Sequence, residues 1–448
     1  MLRRKLFSIM GLALLLTAIT PVYAQNVNDR LSRMEKELQT LRKDNAARAE
    51  RETALQSRID ELEGQVGIQA DSLSSAIESL DGITVGADAA SALSVGGYFD
   101  IEFKSDDTKD NNTFDQHRLI LKFDGDVNEW ISFRSEIELE GGGADASFLT
   151  DNEIVLEYGE LHLNFDNAIN LKVGALLVPF GRFNALHDSP LRDLTDRPLV
   201  NRRIVPTTWT DAGIGLYGEF NPSDSFRIDY DFVLINGLDS DFSGTAGGGM
   251  RGSRNSFRSD NNDNKMFVGR IGLTPDFAFL DALNLGFSFG WGKYDDADDQ
   301  SVSMFGLDWT AKKGPFELIG EWAMLDLERG AAEIAGGVPG GASGWYIQGN
   351  YHFFPESWRS SSKFFGDEST FTLVARYGTM DTDDSAIGID RAARGDAFRD
   401  DAQRFTVGMN FRPIEKTVFK IEYQWWFEAD GIADANNDRF VMSFATFF

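Results

Sequence analysis

From residue 94 onward the chain alternates apolar and polar positions with period two, the spacing of a strand with one apolar and one wet face. Phe99, Ile101 and Phe103 interleave with Asp100, Glu102 and Lys104. In the next segment His117, Leu119, Leu121 and Phe123 fall on the apolar side, and Gln116, Arg118, Ile120 and Lys122 on the other. Equivalent stripes follow at Ile131-Phe133-Ile137-Leu139, Leu161-Leu163-Phe165, Leu171-Val173-Ala175-Leu177 and Ile214-Leu216-Phe220. They continue to Phe419-Ile421-Tyr423-Trp425-Phe427 and Phe440-Met442-Phe444-Phe448, giving sixteen strands in all.

The links between stripes separate this pattern from a soluble sandwich. After even-numbered strands they are mostly tight, as at Asp166 to Ala168, Asn221 to Asp224 and Lys313-Gly314. After odd-numbered strands they are mostly long and polar, as at Gly141 to Asn152, Pro179 to Thr208 and Gly237 to Asn264. Short turns on one rim, long loops on the other and amphipathic strands of about ten residues predict an all-β transmembrane barrel of 16 antiparallel strands. Phe354 to Glu368 breaks the rule, being long where a short turn is expected, which leaves a miscounted strand open. An even strand count places both barrel ends on the short-turn, periplasmic side.

Two further segments precede the barrel. Arg3, Arg4 and Lys5, the apolar run Leu6 to Thr20 and the small-residue end Val22-Tyr23-Ala24 read as a signal peptide over residues 1–24. A membrane anchor is the competing reading, but the run is shorter than the roughly 20 residues a spanning helix needs. Over residues 25–66, Leu31, Met34, Leu38, Leu41, Leu55, Ile59, Leu62 and Val66 recur at steps of three and four, with Asn45, Arg48 and Glu52 in the same seam. This 3.5-residue period predicts an α-helical coiled coil that oligomerises in the periplasm, with a lone amphipathic helix as the alternative. Residues 67–93, rich in Ala, Ser, Gly and Asp, read as a linker, and residues 94–448 as the barrel.

Aromatic residues Trp130, Trp209, Trp291, Trp309, Trp345, Tyr377 and Trp425 fall near strand ends, where amphipathic rings suit the membrane–water boundary. The last nine residues, Phe440 to Phe448, alternate and stop on Phe, and look like the terminal-strand signal of bacterial outer-membrane barrels. Together with Val173-Gly174-Ala175-Leu176-Leu177-Val178-Pro179-Phe180-Gly181-Arg182, these features resemble the phosphate-selective porin O and P family over about residues 94–448. The resemblance implies a homotrimer of water-filled barrels. It also implies that loop 179–208 folds inward to narrow each channel. Some relatives with periplasmic coiled coils carry dicarboxylates or other small anions, so the solute is less fixed than the fold.

Charge qualifies that picture. The 448 residues carry a formal charge of −28, which argues against a nucleic-acid partner. The absence of cysteine removes disulfides and thiol chemistry. If the apolar stripes face lipid, the opposite faces contribute Arg118, Lys122, Arg134, Lys172, Arg227, Arg270, Arg376, Arg404, Arg412 and Lys420 as pore-lining candidates. The inward loop adds Arg182, Arg192, Arg197, Arg202 and Arg203 at the constriction. Rings of Arg and Lys favour anions. The same faces also carry Glu136, Glu138, Glu160, Asp229, Asp231, Glu317, Glu321 and Glu422, so structural pairing with weak selectivity stays open. Runs such as Asp295, Asp296, Asp298 and Asp299 put much of the acidity in outer loops, as solvated surface or as divalent-cation sites.

Enzymatic readings find little support. The four histidines, His117, His162, His187 and His352, form no helix-borne zinc pair, and adjacency in His187-Asp188-Ser189 does not supply a triad's spatial roles. The expected function is a cofactor-free outer-membrane porin for passive diffusion of small hydrophilic solutes, anions such as phosphate or carboxylates above all. Lipid and lipopolysaccharide are the expected surroundings. The alternative is a structural anchor whose coil reaches toward peptidoglycan.

Overall fold

The computed structural model describes residues 36, 39, 43, 93–106, 112–140, 153–243, 249–255, 257–336, 338–382, 401–428 and 437–448. Lys36, Gln39 and Lys43 are helical and exposed. The signal peptide, nearly all of the coiled coil and the linker lie outside the described residues, so the expected coil preceding the barrel is not supported as structure.

Sixteen antiparallel strands close into one barrel. They are β1 (Ser94–Asp106), β2 (Thr113–Asn128), β3 (Ile131–Glu140), β4 (Glu153–Asn164), β5 (Asn170–Leu177), β6 (Thr210–Ser223), β7 (Phe226–Ile235) and β8 (Met266–Pro275). The second half holds β9 (Ala282–Lys293), β10 (Ser301–Lys313), β11 (Phe316–Leu327), β12 (Gly341–Phe353), β13 (Thr370–Asp381), β14 (Asp401–Ile414), β15 (Thr417–Glu428) and β16 (Arg439–Phe447). Each strand pairs with its sequence neighbours, and β1 pairs with β16 from Tyr98↔Phe447 to Asp106↔Arg439, which removes both edges. The long link from β12 to β13 contains a short 3₁₀ turn, Glu356–Trp358, and no extra strand. Aromatic stacking fills it instead: Phe354 lies flat on Phe371, and Trp358 and Phe365 pack beside them.

The outward stripes are exposed as alternation dictates, among them Leu161, Leu216, Phe267, Phe287, Phe305, Leu307, Leu318, Leu373, Phe419 and Ile421. Trp130, Trp291 and Trp345 are exposed too, but Trp209 is not. Expected at the membrane boundary, it is fully buried inside the barrel, with its ring centroid 6.4 Å from that of Phe180.

Of the register shifts among the strands, two reset the alternation beside the inward loop. Between Asp100 and Glu102 of β1 the facing residue on β2 jumps from Arg118 to Asp115, so β2 carries an extra residue there. His117, expected on the outer face, therefore turns inward with Arg118, while Gln116 is exposed. On β4, the step from Tyr158 to Leu156 opposite Glu136 and Ile137 leaves Glu157 unpaired, and Glu157 and Tyr158 are both buried.

The interior is not uniformly wet. Leu176, Val178, Phe180, Val200, Ile204 and Trp209 pack against inward-facing Val268, Val302, Met304, Ala323, Leu325 and Tyr346 in one apolar cluster. Each such side chain contributes about 1.5–3 kcal/mol on burial. That cluster seats loop 178–209 inside the barrel.

Candidate functional site

The inward loop is closed at its neck and tied at its far side. At the neck, Val178 N–H donates to the Trp209 carbonyl at 3.0 Å. Asn184 Nδ2 donates to the carbonyls of Val178 and Trp209 at 2.7 and 3.0 Å. A short helix follows, Gly181–Ala185, and Gly181 has φ +70°. A Cβ built there would collide with Glu321 Oε1, so glycine suits both backbone and space. Gly181 N–H donates to Ser288 Oγ at 2.9 Å, while Glu321 accepts from Phe183 N–H at 3.3 Å and from Asn201 Nδ2 at 2.9 Å.

On the opposite wall, basic residues reach for backbone carbonyls of the loop. Lys420 Nζ donates to Ser189 O at 2.7 Å, Arg412 to Pro190 O at 2.6 Å and Arg192 O at 3.3 Å, and Arg376 to Asp196 O at 2.7 Å. Arg404 donates to Arg197 O. Glu422 receives Thr195 N–H at 2.5 Å, and Gln424 donates to Asp196 Oδ2 at 2.8 Å. Arg376, Arg404 and Lys420 are buried beneath the loop, where they hold it in place and meet no open water.

The other wall cations pair with carboxylates of the wall or, in the case of Lys122, of the inward loop. Arg118 Nε lies 2.6 Å from Glu138 and 2.7 Å from Glu140, Lys172 Nζ 2.7 Å from Asp231, and Lys122 Nζ 2.6 Å from Asp188. Arg270 grips Asp308 with a two-point fork at 3.0 and 2.7 Å. Arg134 and Arg227 are exposed, 3.4 Å from Asp124 and 3.9 Å from Glu219.

Between loop 178–209, loop 236–265 and strands β1 and β2 lies a cavity of about 290 Å³. Lys104, Arg118, Arg192, Arg197, Arg202 and Arg251 line it against only two carboxylates, Glu102 and Asp196, with His117 and Thr195 beside them. Of the expected constriction arginines, Arg192, Arg197 and Arg202 meet here. Arg182 lies toward Glu321 and Tyr346, and Arg203 is half-buried outside the lining. Among the wall candidates, Arg118 alone belongs to this lining. Sequence reasoning missed Arg251, whose available signal was a basic trio, Arg251, Arg254 and Arg258, inside a polar loop. It missed His117 because a bulge in β2 sets its facing, whereas Lys104 lies on the charged face of β1 as expected but was not among the pore-lining candidates.

The pocket is electrostatically unfinished. Arg118 Nη1, Arg192 Nε and Arg197 Nη2 are buried donors with no hydrogen-bond partner. Burial, then the neighbouring guanidiniums of Arg118, Arg192 and Arg251, hold Arg197 well below the usual arginine range. Burial and Arg254, Arg118 and Arg202 push Arg251 down to about 10. Burial would raise the Asp196 carboxyl, but Arg404, Arg202 and Arg439 overcome it and hold the group ionised. Unmatched donors in a partly dehydrated cavity are suited to an anion, which would satisfy them and relieve the repulsion among them. By contrast, Asp100, Glu102 and His117 hold their own balance. His117 Nδ1 is 3.1 Å from both carboxylates, and Lys104 Nζ is 2.5 Å from Glu102.

His187, Asp188 and Ser189 form no relay. Ser189 Oγ donates to Asp100 Oδ2 at 2.5 Å, while His187 Nε2 faces Glu157 and Asp188 at 3.3 and 3.7 Å.

A family model for the phosphate-selective porin O and P matches residues 93–324, more than half of the chain. The chain belongs to this family. The porin is 27% identical over 354 residues to an uncharacterized protein of Aquifex aeolicus (strain VF5), covering 74% of this chain and 75% of that one. Among solved structures it is similar to Salmonella typhi OmpF in complex with daunomycin, at TM-score 0.50 and 9% identity, over 80% of this chain and 97% of that chain. It also resembles a loop-L8 deletion mutant of OmpT, an outer membrane protein of Vibrio cholerae, at TM-score 0.49 and 11% identity, over 80% of this chain and 100% of that chain. Family and barrel make the protein an outer-membrane channel.

Proposed function

We propose that this porin passes small anions by passive diffusion and that the arginine pocket is where it attracts them. The observation that carries the reading is the set of three buried, unpartnered guanidinium N–H groups in a cavity lined by six cations and two carboxylates. Cations at close quarters replace part of an anion's hydration shell and raise its local concentration. Guanidinium forks suit the two-oxygen faces of phosphate and carboxylate. We further propose a homotrimer, a cleaved signal peptide over residues 1–24, and a periplasmic coiled coil over residues 25–66. The repeat of Leu31, Met34, Leu38 and Leu41 supports the coil, and lipopolysaccharide and peptidoglycan are the partners such an arrangement would meet.

The test is competition. Phosphate or succinate added to single channels conducting chloride is expected to reduce the current in a saturable way, and Arg202→Ala with Arg251→Ala is expected to remove the saturation. A chloride current indifferent to both solutes would contradict the reading. A folded barrel with no conductance at all would favour an anchoring role.

A further inference from the structure

We propose that Glu136, Glu157 and His187 form a site for one divalent transition-metal cation that clamps the inward loop to β3 and β4. One donor atom from each residue lies within 4.8 Å of the others, and all three residues are buried. They come from three places: the inner face of β3, the β4 bulge and the loop. A cation there would staple loop to wall.

The tautomer of His187 supplies the independent observation. Its Nδ1 is 2.7 Å from the Asn184 carbonyl oxygen, which can only accept, so Nδ1 carries the proton. That leaves Nε2 as the free ring nitrogen. It is buried, has no hydrogen-bond partner, and faces carboxylate oxygens, Glu157 Oε1 at 3.3 Å and Asp188 Oδ1 at 3.7 Å. A lone pair aimed at anionic oxygens is repulsive unless something positive sits between them. Glu157 Oε2 and Asp188 Oδ1 are also buried and unpartnered.

Charge and spacing agree. Among the described residues, Glu136, Glu157 and Asp188 have one lysine or arginine in direct ion-pair contact, Lys122, at 3.1 Å from Glu136 and 2.6 Å from Asp188, with Arg118 and Arg197 acting on Glu157 from farther away. With a neutral imidazole, the direct pair with Lys122 leaves two negative charges in a buried place, and a divalent ion cancels them. Tetrahedral ligands at about 2.0–2.1 Å from a metal stand about 3.3–3.4 Å apart, the separation found between His187 and Glu157. A charge-assisted N–H···O bond would be shorter, about 2.7–2.9 Å. An imidazole among carboxylates suits Zn²⁺, Co²⁺ or Mn²⁺ better than Ca²⁺, which takes oxygen ligands. The Asn184 carbonyl orients the ring as outer partners of metal-bound histidines do. Asn184 also closes the loop neck, so the clamp would join neck and wall.

The experiment uses the full chain in detergent, stripped with a chelator and titrated with Co²⁺. The expected result is saturable binding of about one Co²⁺ per chain, displaced by Zn²⁺, with the intense visible bands of a low-coordinate nitrogen-and-oxygen site. His187→Gln is expected to abolish those bands and Glu157→Gln to weaken binding, while His117→Gln in the neighbouring cluster leaves both unchanged. Folding of each variant is checked by the heat-dependent gel shift of the barrel. No saturable binding to the folded wild-type chain would overturn the proposal, whatever the variants do. Equal affinity in folded H187Q would overturn it too, and would assign the cluster to a protonated His187 with a proton shared between Glu136 and Glu157.

Discussion

Asn184 and Trp209 are bonded twice across the neck of the inward loop: Trp209 N–H donates to Asn184 Oδ1 at 2.8 Å, and Asn184 Nδ2 donates to the Trp209 carbonyl at 3.0 Å. One fully buried amide thus replaces a turn that would otherwise have to close 32 residues of chain, 178–209. Asn184→Ala is expected to orphan the buried Trp209 N–H at a cost of about 1–3 kcal/mol, while the Trp209 carbonyl keeps the Val178 N–H. Because strand pairing does not pass through the neck, the barrel should survive while single-channel recordings become noisier and larger in conductance. Quiet channels of wild-type size would show that the neck does not govern the loop.

Gly181 sits where an added methyl meets Glu321 and where φ is positive. Gly181→Ala is expected to cost about 1–2 kcal/mol in backbone strain alone, with displacement of Glu321 in addition. The check is the temperature of the heat-dependent gel shift, which should fall. Pairing the change with Glu321→Ala should recover part of the loss, since the clash is removed while the backbone strain stays.

The bonds from Arg412 and Lys420 to Pro190, Arg192 and Ser189 carbonyls imply a mechanical role for these side chains. Replacing both with Met, which keeps length but removes donors, should expose the loop to added protease in detergent. Hydrogen bonds from charged donors contribute about 1.5–3 kcal/mol each. Protection equal to wild type would assign the hold to the apolar cluster alone.

Asp196 makes the loop's hold depend on acid in a stated direction. Its carboxyl is held below the ordinary carboxylate range in the folded protein, so its contribution is complete above about pH 4, the unfolded value, and is lost as pH falls from there toward the folded one. Open-channel flicker should therefore stay flat from neutral pH to about 4 and rise below it. Asp196→Asn should flicker already at neutral pH and change less on acidification. Identical pH profiles in the two proteins would remove Asp196 from the account.

Strand identity was legible because a closed barrel leaves one face of every strand against lipid, so the period-two stripe survives through Phe267, Phe305 and Phe419 alike. The facing of individual residues failed at two bulges, since a single inserted residue inverts inward and outward without altering composition. That is why His117 was expected outside and Glu157 passed unnoticed. Trp209 misled for a different reason: a buried aromatic anchoring a loop and an aromatic at the membrane boundary both occur at strand ends. The partners of Arg376, Arg404 and Lys420 were illegible because loop carbonyls leave no mark in a sequence. Arg118, Arg192, Arg197, Arg202 and Arg251 come together only when two loops fold over one stretch of wall.

In the proposed function, this cluster of arginines gives the channel its preference for negative solutes. The most direct measurement is the zero-current potential of single channels in a planar bilayer between unequal KCl solutions, for wild type and for Arg202→Ala with Arg251→Ala. A potential of the sign set by chloride is expected in the wild type, moving toward zero in the double variant. A potential of the sign set by potassium, or one that the double variant leaves unmoved, would contradict it.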